Sequence, residues 1–85
     1  MKRYTIRFTK QAVKDVETLS PKLKKKLKNI LEEVISKNPY TGKKLLGELQ
    51  GSYSYRLTFQ DRIIYSIDRK KQIIYIERAK TLYGR

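Results

Sequence analysis

The chain opens on an alternation: Tyr4, Ile6 and Phe8 are apolar or aromatic, and Arg3, Thr5 and Arg7 between them are polar. A period of two describes a strand with one covered face. At Thr9 the period changes to a helical one, with Ala12, Val13, Val16 and Leu19 as its apolar positions and Thr9 as a cap for the free N–H groups of the first turn. Ser20-Pro21 restarts the pattern, because serine caps a helix and proline tolerates its first position, where no N–H is needed. Behind it Leu23, Leu27, Ile30, Leu31, Val34 and Ile35 keep a single apolar stripe. Asn38-Pro39 ends that helix, since the residue before a proline disfavours helical backbone. With almost no residues between them, the two helices are expected to form an antiparallel pair.

A connection follows, "YTGKKLLGELQG", whose Leu45, Leu46 and Leu49 are expected to tuck under the domain edge. Three further strands are predicted at 53–59, 62–68 and 72–78, with "FQD" and "DRKK" as the turns between them. The order is β-α-α-β-β-β. It predicts an α+β fold, a mainly antiparallel four-stranded sheet with a two-helix hairpin on one face and the other face open. At 85 residues, 1–85 is read as one domain near the lower limit for folding without staples.

Side-chain parity then places the basic residues. Tyr53, Tyr55, Leu57 and Phe59 have one parity and Ser54, Arg56 and Thr58 the other; in the next strand Ile63, Tyr65 and Ile67 oppose Arg62, Ile64 and Ser66. Both apolar sets reach the helices only if the hairpin loop holds an odd number of residues. A three-residue loop, Phe59-Gln60-Asp61, fits and puts Arg56 and Arg62 together on the open face. In the last strand Ile74 and Ile76 are assigned to the core, and Ile73, Tyr75 and Glu77 to the open face. Glu77 would then lie near Arg62, and a simple ion pair between them is the structural alternative for that arginine. Arg78 would point coreward in a regular strand, so it is expected where the strand ends. Tyr53, Tyr55 and Tyr65 are read as framework, Tyr75 and Tyr83 as candidates for exposure.

Charge sharpens this picture. The chain carries 21 Lys and Arg against 8 acids, a net charge of +13 distributed along its whole length. Such self-repulsion is relieved by a polyanion such as nucleic acid, or by an acidic protein. The cluster "KLKKKLK", with Lys25 and Lys28, can grip RNA phosphates or can be the solvated face of an amphipathic helix; both readings stand. The sequence contains no cysteine and no histidine. Disulfides and thiolate or imidazole metal sites are therefore not open to it, and no cofactor is expected. No apolar run approaches the ~20 residues of a membrane span, and the N-terminus lacks the apolar stretch of a secretory signal. A cytoplasmic protein with no membrane contact is the expectation.

Leu49, Gly51, Tyr53-Ser54, Arg56-Leu57-Thr58 and Arg62-Ile63-Ile64-Tyr65, followed by the ending "RAKTLYG", form a combination that resembles the Txe/YoeB branch of the RelE/ParE toxin superfamily. The likeness runs the length of the chain. It implies a RelE-like fold and the toxin of a type II toxin–antitoxin system, a ribosome-associated endoribonuclease that cuts mRNA in the 30S A site. The implied chemistry is attack of a 2′-hydroxyl on the neighbouring phosphate without a metal. The implied partners are an acidic antitoxin, mRNA on the ribosome, and operator DNA only through the antitoxin complex. By position, Arg62 matches the arginine that stabilises the phosphate in the transition state, and Arg56 a basic strand residue beside it. Tyr83 matches the terminal tyrosine, which stacks on a base or moves a proton. Lys44, Arg78, Lys80, Arg85, Lys25 and Lys28 are the expected RNA-binding cations.

The chain departs from that branch at two points. Leu82 stands where the branch has the histidine acid, and Lys43 or Lys44 where it has the glutamate base. RelE itself uses lysines and a tyrosine, so Lys43 and Tyr83 are the expected proton-handling pair. A weakened toxin and an inactive binder are the alternatives. Outside this chemistry, the rivals are a ParE-like DNA gyrase inhibitor, whose family generally lacks the tail tyrosine, and a non-catalytic RNA- or antitoxin-binding homologue.

Overall fold

A computed structural model of the chain describes residues 3–45, 51–59 and 61–81, the side chains of Lys80 and Thr81 excepted. Strand β1 (Thr5–Phe8) lies at one edge of a five-stranded sheet, parallel to β5 (Ile73–Thr81). The sheet continues through β4 (Asp61–Asp68) and β3 (Ser52–Arg56) to β2 (Lys43–Lys44), in the order β1-β5-β4-β3-β2. All pairs except β1/β5 are antiparallel. The fifth strand is β2, which at two residues is too short to show a period in sequence. Of the leucines expected beneath this edge, Leu45 is half-buried and donates its N–H to the Ser52 carbonyl at 2.9 Å, whereas Leu46 and Leu49 lie outside the described residues.

The two helices begin where their capping residues stand. Thr9 Oγ1 accepts the Ala12 N–H at 3.2 Å to start α1 (Lys10–Glu17), and Ser20 Oγ accepts the Leu23 N–H at 3.3 Å ahead of α2 (Pro21–Ile30). Beyond Ile30 the chain winds wider over Leu31–Ile35, and the Ser36 N–H reaches back five residues to the Leu31 carbonyl at 2.8 Å. A short 3-10 turn, Pro39–Thr41, then leads into β2, with Asn38 Oδ1 accepting the Tyr40 N–H at 3.2 Å. The core is one layer between helices and sheet. Ala12, Leu27, Ile30, Leu31 and Ile35 meet Leu57, Ile63, Tyr65, Ile74, Ile76 and Ala79. Val13 does not join them; it stays 44% exposed, one position around α1 from Ala12.

Two departures from regular strands set the register of the open face. First, β3 and β4 pair with Arg56 opposite Arg62, so the hairpin turns about Phe59 and its loop lies one residue earlier than "FQD". Thr58 and Asp61 explain the shift. The Asp61 N–H donates to Thr58 Oγ1 at 2.9 Å, Thr58 Oγ1 donates to Asp61 Oδ2 at 3.0 Å, and the Leu57 N–H meets the Asp61 carbonyl at 2.9 Å. The turn closes there, and Phe59, given core parity in sequence, ends at the apex with 85% exposure. Second, β5 carries a bulge: Ile64 pairs with Arg78 but Tyr65 with Ile76, leaving Glu77 as the extra residue. A bulge switches which face later residues occupy. Ala79 rather than Arg78 is therefore buried, and Arg78 and Lys80 fall in register with Ile64 and Arg62.

Candidate functional site

Directly opposed residues of an antiparallel pair project from the same face. Arg56 and Arg62 are such a pair, and Lys80 is the register partner of Arg62 on its other side. One row across three neighbouring strands thus carries Arg56, Arg62 and Lys80. The next row holds Lys43, Ser54, Ile64 and Arg78. Arg56 is exposed and Arg62 half-buried. Like charges placed opposite each other in a sheet destabilise it. Among the described residues neither arginine has an acidic partner, because the two ion pairs formed are Lys37–Glu33 and Arg78–Asp15. Glu77, the expected partner of Arg62, instead accepts from Ser52 Oγ at 3.1 Å.

This face is less bare than the pattern suggested, since Ser52, Ser54 and Ile64 are almost fully covered. Ser54 is short and stands in register between the longer Lys43 and Ile64. Ser54 Oγ has no hydrogen-bond partner among the described residues. An open cavity of about 610 Å³ follows the edge of β3, and Lys26, Lys43, Arg56 and Arg62 all line it, together with Gly42, Ser54 and Phe59. Four cations around one concavity make a seat for a phosphate or another anion. Lys26 went unnoticed in the sequence because "KLKKKLK" offers five lysines with nothing to rank them; only the packing of α2 against the sheet selects one.

Lys43 owes its position to Tyr65. The tyrosine ring is buried, and its hydroxyl donates to the Pro39 carbonyl at 2.6 Å. Burial raises the phenol to about 12, although the Gly42 N–H opposes that shift. The ring stacks on Tyr53 at 5.8 Å, so Tyr53 and Tyr65 are framework as expected, and Tyr53 meets the exposed Tyr40 edge-on at 5.8 Å. Gly42 lies against the same hydroxyl. A β-carbon there would sit within bonding-clash distance of Tyr65 Oη and 2.9 Å from the Ser54 carbonyl oxygen. Gly42→Ala is accordingly expected to cost about 1–3 kcal/mol of stability by overpacking, read as a lowered urea midpoint at unchanged slope.

The remaining candidates are dispersed. Lys44 is exposed on β2, opposite Tyr53 and of opposite parity to Lys43. Lys25 and Lys28 are exposed on α2 and do not line the cavity that Lys26 reaches. Arg78 donates through Nε to Asp15 Oδ2 at 2.8 Å and keeps 39% of its side chain exposed. Tyr83, Arg85 and Leu82 lie outside the described residues. Asp15 was not foreseen. Burial opposes its ionisation, yet bonds from Arg78, the Ala79 N–H and Gln11 hold its carboxyl below the ordinary range. No helix among the described residues is long and apolar enough to cross a membrane, and no cluster of acidic residues there could hold a metal ion.

Known proteins share this fold. Residues 6–82 match the family described as the ParE-like toxin of type II bacterial toxin–antitoxin systems. The chain is similar to a chain of the toxin–antitoxin complex RelBE2 from Mycobacterium tuberculosis, at 31% identity and a TM-score of 0.84, over 93% of this chain and 98% of that one. It is similar to a chain of the YoeB–YefM complex from Staphylococcus aureus, at 28% identity and a TM-score of 0.77, over 95% of this chain and 99% of that one. The intact Escherichia coli RelBE toxin–antitoxin complex shares the fold at 21% identity, with a TM-score of 0.80 over 95% of this chain and 99% of that one. A search of curated proteins finds no match.

Proposed function

We infer the reaction from one premise: the chain belongs to the ParE-like toxin family of type II bacterial toxin–antitoxin systems, with YoeB-like and RelE-like relatives. The proposed activity is endonucleolytic cleavage of mRNA on the ribosome. The observation that carries it is the opposed pair Arg56–Arg62, without an acidic partner among the described residues, at the wall of a four-cation cavity. A cross-strand guanidinium pair costs the free protein stability; a phosphate bound between them offsets that cost and gains most when its charge grows in the transition state. In this scheme a ribose 2′-oxygen attacks the adjacent phosphorus, and the bond to the departing 5′-oxygen breaks to leave a cyclic phosphate. Arg62 and Arg56 bind the phosphoryl oxygens. By resemblance Lys43, which lines the same cavity, is assigned the hydroxyl proton, which it accepts as the neutral amine, and Tyr83 is assigned the leaving oxygen. The partner is a small acidic antitoxin, for which a charge of +13 is the physical motive.

Primer extension on translated mRNA tests the reading. Purified protein is expected to leave cuts confined to the A-site codon. A chain that leaves mRNA intact and instead blocks gyrase-driven supercoiling of plasmid DNA is a gyrase inhibitor. If cleavage is faint and Leu82→His strengthens it, the chain is a weakened form of the same enzyme.

A further inference from the structure

Phe59 is the most exposed large apolar side chain among the described residues, at 85% against 45% for Tyr40, the next. A lone surface phenylalanine needs no explanation in general. This one differs in where it stands and how it is held. It occupies the apex of the β3–β4 hairpin, between strands that pair through Arg56 and Arg62, and it shares a cavity wall with those arginines, Lys26 and Lys43. The turn beneath it is closed by the reciprocal Thr58–Asp61 bonds and by two N–H groups, of Leu57 and Thr58, on the Asp61 carbonyl. The backbone is thus held at Leu57, Thr58 and Asp61, so contact with the ring costs the freedom of one side chain with two rotatable bonds and little at those backbone positions.

We propose that Phe59 is a stacking platform for an unstacked nucleobase of single-stranded RNA, next to the phosphate held by Arg56 and Arg62. The inference rests on the nuclease reading above. Proteins that hold single strands combine a cationic groove for the backbone with an aromatic face for the bases, and both components meet here. Charge decides between a base and an apolar protein anchor. A ring bordered by four cations suits a ligand that alternates aromatic planes with phosphates, whereas an apolar segment docked there would have to desolvate those cations.

The test is anisotropy titration of a fluorescein-labelled single-stranded oligonucleotide of 2′-O-methyl nucleotides, which cannot be cut by 2′-oxygen attack. Phe59→Ala is expected to weaken binding about 5- to 100-fold with no loss of thermal stability, and Phe59→Trp to restore it. An abasic residue walked along the oligonucleotide should weaken the wild type at one position and leave Phe59→Ala unaffected at that same position. Wild-type affinity in Phe59→Ala, or a loss that stays the same wherever the abasic residue is placed, overturns the proposal. It is equally overturned if the oligonucleotide binds both proteins alike while the cognate antitoxin loses affinity for Phe59→Ala, since the ring is then a protein anchor. Codon-confined cuts on the ribosome, measured on the same variants, report separately on the nuclease itself; a variant that cuts and binds like wild type removes the platform and keeps the enzyme.

Discussion

If the proposed nuclease reading holds, Arg62→Ala is expected to lower ribosomal mRNA cleavage by about 10²–10³-fold, the loss typical when one preorganised donor is taken from a developing oxyanion. Its effect on folding is small. Arg62 stands opposite Arg56, so removing its charge relieves repulsion between the two while forfeiting some contact made by its half-buried stem. These oppose each other, and the unfolding free energy of the free protein is expected to stay within the range of an ordinary surface substitution, about ±0.5 kcal/mol. Added polyphosphate separates the two roles. It raises the wild-type melting temperature by binding the native state, and raises that of Arg62→Ala less. Arg62→Lys is expected to restore little cleavage, because an ammonium lacks the planar pair of donors that meets two phosphoryl oxygens at once. Arg56→Ala, at the exposed end of the row, follows the same direction with a smaller loss. Primer-extension band intensities measure all three variants, and cleavage undiminished in Arg62→Ala removes the arginine from the reaction.

That pair was legible because strand parity is a two-valued choice. An odd hairpin loop was enough to bring Arg56 and Arg62 to one face, even though the loop is centred a residue earlier than "FQD". The caps at Thr9 and Ser20 were equally plain, since each satisfies a local need for an acceptor. What could not be read depends on contacts between distant segments. The bulge at Glu77 has no local mark, yet it brings Arg78 into register with Ile64 on the face of Arg62 and leaves Glu77 bonded to Ser52 instead of Arg62. Lys26 is chosen by packing alone. Phe59 fits an apolar strand pattern, and only the Thr58–Asp61 bonds lift it out of the core. Asp15 did leave a trace: three residues after Ala12, it is an acid on the buried side of a helix, where a carboxylate must find donors.

Those donors define the second large expected effect. Strand β1 ends at Phe8, opposite Ile76, so the later residues of β5 have no strand partner along that edge. The loop and helix after β1 supply the missing bonds. Thr9 donates its N–H and its hydroxyl to the Ile76 carbonyl at 3.1 and 3.2 Å, and the 2%-exposed Asp15 accepts from the Ala79 N–H at 3.1 Å and from Arg78 Nε at 2.8 Å. Asp15→Ala strands a buried N–H and frees a guanidinium, and a loss of about 2–4 kcal/mol in urea titration is expected. Asp15→Asn retains an acceptor for Ala79 and loses roughly half as much. The pH dependence carries the sign. Because the folded carboxyl is held below its ordinary value of 3.8, the stability it contributes is fully present above that value and drains away as the pH falls through and below it. Wild type and Asp15→Asn therefore converge on acidification from neutral pH; a gap that persists to the acid limit would show that the charge on Asp15 contributes nothing. The same carboxylate fixes the limb of β5 that sets Lys80 opposite Arg62, so cleavage should fall in Asp15→Asn under conditions where the protein is still fully folded.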